Sequence, residues 1–121
     1  MSPLSAEIRR WPVVAARQSL PDGGLRLRLW LEPDLVWFAG HFPEAPLLPG
    51  VAQLHIALHL ATTELGLQGE FAGMEVIKFQ QPLRPGQYVE LDLCWEPTRQ
   101  RLLFTYRLDE AQASSGRVRL C

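Results

Sequence analysis

Leucine occupies every second position from Leu25 to Leu31, with Arg26, Arg28 and Trp30 between. A period of two puts the leucines on one face and predicts a half-buried strand. Just before it, Pro21-Asp22-Gly23-Gly24 reads as a turn, because proline presets φ and glycine accepts positive φ. Ile8 to Leu20 mixes β-branched and charged residues and is expected to hold a first strand around Trp11 to Arg17. Strand, turn and strand make a hairpin. Asp34 to Phe38 is expected to form a short turn of helix, and residues 1 to 6 a loose arm. Val51 to Leu65 then reads as a helix that stops at Gly66, a plausible C-cap. Its apolar side chains cover most of the circumference, so burial on nearly all sides is expected. His55, His59 and Thr62 share one narrow sector of it. Beyond Gly66 the strand signal returns in Phe71 to Pro82, Gln87 to Trp95, Arg101 to Leu108 and Ala113 to Cys121. Short connections among these last four strands predict antiparallel hairpins.

Two strands, a helix and a strand meander make an α+β order with five or six strands and one long central helix. One strongly curved sheet wrapped around the helix would bury it. With neither internal repeat nor linker, residues 1–121 are expected to form one domain.

Composition narrows the function classes. Of 121 residues, 47% are hydrophobic and 21% charged, an ordinary globular mixture. A chain this short buries a limited core alone, so pairing with a second copy would help it. The net charge is −1 and the 12 basic residues are dispersed, which argues against a nucleic-acid surface. Cys94 and Cys121 lack metal-motif spacing and are read as reduced thiols of a cytoplasmic protein. The first dozen residues lack an apolar core of signal-peptide length, and no run approaches a membrane span.

The chemistry concentrates between Phe38 and His59. Glu32 to Pro49 is a long connection with neither helical nor strand periodicity, and loops of that length inside a domain are often functional. Trp37, Phe38, Phe42, Leu47 and Leu48 argue against disorder. Pro43, Pro46 and Pro49 each fix φ and hold the preceding residue out of helical geometry, so the loop is stiff. His41 heads the loop and His55 lies one and a half turns into the helix. A rigid loop feeding a helix N-terminus, with an imidazole on each side, has the form of a built site. His41, His55 and His59 invite a zinc reading, since histidines at i and i+4 can share a metal. Neither a cysteine nor a carboxylate completes that pattern. Trp37 and Phe38 either gate the region or simply pack.

Gly40 to His55, GHFPEAPLLPGVAQLH, resembles the signature of the β-hydroxyacyl-[acyl-carrier-protein] dehydratases of fatty-acid synthesis. That pattern is G-H-F-P-x-x-P-x-x-P-G-V followed by a catalytic carboxylate on the helix, and the match from Gly40 to Val51 is complete. A second segment, Ile77-Lys78-Phe79 with Pro82 and Pro85-Gly86, is similar to the family's I-K-F-x-x-P-x-x-P-G. PGVAQLH is also similar to the dehydratases of aryl-polyene clusters. The resemblance implies the hot-dog fold, an antiparallel sheet wrapped around one long helix. It implies a homodimer or higher oligomer with joined sheets and active sites at the interface; a heterodimer with another hot-dog subunit is also open.

It implies elimination of water from 3-hydroxyacyl thioesters carried on acyl carrier protein, giving trans-2-enoyl thioesters, with no diffusible cofactor and no metal. His41 matches the base that removes the proton α to the thioester carbonyl, a task suited to an imidazole at neutral pH. Gly50 matches the glycine whose backbone N–H polarises that carbonyl, and a helix start favours negative charge. At the position of the family's carboxylate stands His55. A neutral imidazole can donate a hydrogen bond there, and an imidazolium can protonate the leaving hydroxyl. Glu44 is a second, weaker candidate for the missing carboxylate. Phe42, Leu47, Leu48 and Val51 either line an acyl tunnel or pack in the core, and His59 is a substrate-side or core residue. Two rival classes stand beside the dehydratase: a catalytically altered subunit that binds acyl carrier or partners an active enzyme, and an acyl thioesterase.

Overall fold

The computed structural model describes residues 9–39 and 45–121. Among these are six strands, one α-helix and one turn of 3₁₀ helix. Strands β1 (Val13–Ser19) and β2 (Leu25–Leu31) form the expected hairpin, closed at Asp22, whose carboxylate accepts from the Gly24 N–H at 2.9 Å. The 3₁₀ turn covers Val36–Phe38, inside the stretch expected to turn helically. Helix α1 spans Gly50–Leu65 and ends at Gly66, whose φ of 68° is left-handed and whose N–H reaches back to the carbonyls of Ala61 and Thr62. Strands β3 (Phe71–Phe79), β4 (Gln87–Glu96), β5 (Arg101–Leu108) and β6 (Ala111–Leu120) complete the sheet.

All pairings are antiparallel, in the order β1-β2-β4-β5-β6-β3. The period of two in the sequence becomes one buried face. Leu27 faces Leu91, Leu29 faces Val89, and Leu93 faces Phe104 across the ladders. These side chains pack on Ala52, Ile56, Ala57 and Leu60 of α1. Gly116 of β6 has no side chain because the Phe104 ring fills that place; a Cβ there would lie 2.6 Å from Cζ. The other face is polar. Asp92 of β4 sits between Arg26 of β2, at 2.7 Å, and Arg107 of β5, at 3.2 Å. Burial works to raise the Asp92 carboxyl, but the two guanidiniums outweigh it and hold it below its ordinary range.

Two expectations are corrected. The connection from β3 to β4 is not a hairpin: β3 lies beside β6 at the sheet edge, and β4 lies beside β2. Residues 80–86 cross β5 and β6 instead. Three strand spacings are about 14 Å, and seven extended residues reach about 23 Å, so the span is easily made. The crossing is tied at both ends. Gln80 and Gln81 donate to the Ala113 carbonyl, and Gly86 donates to that of Leu31. The second correction concerns α1. The sheet covers one side of it, while Val51, His55 and Thr62 form an outward stripe. A single sheet curves around only part of a helix; on the outward side Trp11 and Trp37 meet His59 and His55, while Val51 and Thr62 stay exposed.

Candidate active site at the helix N-terminus

Leu48 anchors the proline loop at both of its backbone groups. Its N–H donates to the Leu83 carbonyl at 2.7 Å, and its carbonyl accepts from Gln53 Nε2 at 3.1 Å. The loop is thereby fastened to the β3–β4 crossing and to the first turn of α1. Pro49 is the N-cap, a place where its missing N–H costs nothing, and Gly50 is the first helical residue. No side chain among the described residues caps this end, and the first turn carries no acidic residue. The first-turn N–H groups and the helix dipole therefore offer positive potential there.

Phe79 explains why residue 50 is glycine. A Cβ on Gly50 would stand 2.4 Å from Phe79 Cζ, inside any allowed contact. The half-exposed Phe79 ring lies over the backbone of Gly50 and forms one wall of a groove of about 530 Å³. Leu47, Leu48, Pro49, Gly50 and Gln53 form the helix side; Phe79, Gln80, Gln81 and Pro82 form the other. Most of that lining is apolar, with one helix N-terminus opening into it, a combination suited to a chain with a single polarised group.

Beneath the groove lies a buried polar cluster. Gln53 is 3% exposed in an otherwise apolar stretch. Its Oε1 accepts from Ser114 Oγ at 2.5 Å, and its backbone carbonyl accepts from the Tyr106 hydroxyl at 2.7 Å. Complete burial drives the Tyr106 hydroxyl well above its ordinary pKa. A β-bulge makes this possible: the β5–β6 register slips between Tyr106 and Arg107, so Ala113 and Ser114 are both buried.

The sequence-derived candidates separate into three places. Leu47, Leu48 and Gly50 line the groove. Val51, 60% exposed, and His55 lie on the outward stripe and do not line it. His55 approaches Trp37 with ring centroids 5.8 Å apart. His59 stacks flat on Trp11 at 3.9 Å and 2°, and burial lowers its pKa. Trp11 in turn meets Trp37 at 6.4 Å, and Trp37 Nε1–H donates to the Arg10 carbonyl. His41, Phe42 and Glu44 lie outside the described residues. Sequence reasoning missed Gln53, Phe79, Ser114 and Tyr106 as site-shaping residues. The one available signal was Gln53, an uncharged polar residue among apolar helix neighbours.

The fold and groove define a hot-dog protein with a helix N-terminus at its site. Residues 17–117 match the family model described as "ApeI-like: ApeI dehydratase", and the chain belongs to that family. It is similar to a chain of the dehydratase heterocomplex ApeI:P from Xenorhabdus doucetiae, with 41% identity and a TM-score of 0.82, covering 91% of this chain and 97% of that one. It is equally similar to an uncharacterized protein from Erwinia carotovora subsp. atroseptica, with 42% identity, a TM-score of 0.82, and coverage of 91% and 95%. The 3-hydroxyacyl-[acyl-carrier-protein] dehydratase FabZ of Erythrobacter litoralis is 37% identical over 75 residues, 54% of this chain and 50% of that protein. The chain thus spans about half the length of the curated relatives it matches.

Proposed function

We propose that the protein dehydrates 3-hydroxyacyl thioesters carried on acyl carrier protein to trans-2-enoyl thioesters, in fatty-acid or polyene-type biosynthesis. The observation that carries the reading is the groove at the start of α1, where the Gly50 backbone meets an apolar trough. His41 takes the proton from the carbon α to the thioester carbonyl. The electron pair moves onto the carbonyl oxygen, which the Gly50 N–H meets. It returns to form the α–β double bond as the β-hydroxyl leaves with a proton from His55, as water. The thioester itself acidifies the α-proton, so the step calls for no diffusible cofactor and no metal. Leu47 and Leu48 hold the acyl chain.

His55 lies outside the groove that holds Gly50, which favours a site completed by two subunits. We infer a homodimer, or a heterodimer with another hot-dog subunit, in which one chain's Gly50 and its partner's residue 55 face one substrate. The heterocomplex of the 41% identical ApeI:P supports such pairing. Val51 on the outward stripe would then lie in the interface, and His59, stacked on Trp11, would support the His55 face. The reading takes residues 1–121 as one domain acting in the cytoplasm. The free thiols Cys94 and Cys121 agree with that, and no helix among the described residues is long and apolar enough to cross a membrane.

The test is turnover of 3-hydroxyacyl- and enoyl-carrier substrates, followed by hydration state and free thiol release. Reversible hydration that His41→Ala removes is the expected result. Release of thiol would point to a thioesterase. Carrier binding without turnover, alone or with a second hot-dog subunit, would sink the dehydratase reading. His55→Glu refines it: a rise in rate would mark His55 as a degraded position, a collapse as one with its own role.

A further inference from the structure

We propose that Gln53 is a positioning residue for the Gly50 amide, holding it through a polar strut that runs from sheet to loop. The inference rests on the reading of Gly50 as the carbonyl activator. Ser114 Oγ of β6 donates to Gln53 Oε1, and Gln53 Nε2 donates to the Leu48 carbonyl, two residues before Gly50. The Tyr106 hydroxyl of β5 holds the Gln53 backbone carbonyl from the same side. The Leu48 N–H is taken by Leu83. The peptide units leading into Gly50 are thus referenced to two strands and the crossing loop, not only to the helix they begin. Every buried polar side-chain atom among the described residues has a partner, so the strut is fully satisfied. A satisfied buried network rigidifies its surroundings, whereas an apolar side chain of equal size would fill the space without fixing the direction of a carbonyl. Phe79 on the groove side limits where Gly50 can move, and Gln53 determines how it is turned.

The test compares Gln53→Met, which keeps the volume and loses both bonds, with Ser114→Ala and the double variant Gln53→Met/Ser114→Ala. Two readouts are taken: kcat and KM for dehydration, and the ¹H–¹⁵N shift and hydrogen exchange of the Gly50 amide in the free protein. Gln53→Met is expected to lower kcat about 10- to 100-fold, up to the cost of a misplaced oxyanion donor and short of that of a lost one. KM should change little and the Gly50 amide shift should move. The double variant removes the mismatched Ser114 partner and should recover melting temperature while kcat stays low. Recovery of kcat together with stability would reduce Gln53 to packing and overturn the proposal. So would a Gly50 amide unchanged in Gln53→Met. If wild-type protein turns over no dehydratase substrate, the functional reading fails, yet the amide readout still decides the strut.

Discussion

Tyr106 is the residue on which several demands meet. It is fully buried, edge-on to Phe104 at 5.9 Å, and its hydroxyl holds the carbonyl of Gln53. Burial raises its pKa well above 10, so the folded protein keeps the proton where the unfolded chain loses it. Tyr106 therefore supports stability fully below the unfolded value near 10, and that support is lost as pH rises above it. The expected slope is about 1.4 kcal/mol per pH unit for one proton. Chemical denaturation of wild type and Tyr106→Phe from pH 8 to 11 should show the difference. Tyr106→Phe should be about 1 kcal/mol less stable at pH 8, from the lost hydrogen bond, and its stability should fall less steeply above pH 10. Parallel curves would show that Tyr106 ionises freely in the folded state. Gln53 shows the same scale from the other side: its position on a helix was readable, but its partners are Leu48 and Ser114, 61 residues away in the latter case.

At the scale of elements, the leucine alternation of β2 and the boundaries of β5 are local and were readable directly. Each depends on side chains two residues apart facing one way. The helix stop was equally local. A Cβ at Gly66 would meet nothing within 4 Å, so crowding plays no part; the left-handed φ of 68° is the whole constraint. Gly66→Ala should cost about 1 kcal/mol. It should appear as a lower urea midpoint with an unchanged slope. Gly66→Asn should cost less, since asparagine tolerates that conformation. Equal stability of Gly66→Ala and wild type would mean that the helix ends for another reason. The strand β6, by contrast, begins at Ala111 rather than the expected Ala113, because Asp109 and Glu110, both at positive φ, close a two-residue turn right after Leu108, and the strand then carries a bulge at Ala113 that no period reveals. That bulge matters to the site, since the Ala113 carbonyl holds Gln80 and Gln81 of the groove wall.

At the scale of the molecule, β3 is an edge strand with half-exposed Phe71 and Met74, and Val51 stands out from α1. An open edge with apolar side chains is a template for pairing with another chain. Light scattering on the purified protein should give twice the chain mass or a higher multiple. Phe71→Asp with Met74→Lys should shift it to the monomer and, on the two-subunit reading, remove turnover with it. A monomeric wild type with full activity would exclude a shared site.

The sequence by itself determined the elements and the chemical vocabulary. Alternation marked the strands, Gly66 ended the helix, and the proline loop running into Gly50 marked the helix start beside which the groove lies. These are properties of neighbours within a few residues, where backbone geometry leaves little choice. Tertiary structure alone decided which strands pair, and so sent residues 80–86 across the sheet rather than into a hairpin. It alone placed Phe79 over Gly50, joined Gln53 to Ser114 and turned His55 away from the groove. Such contacts join residues far apart in the chain, and whether they form depends on how the whole sheet curves against α1.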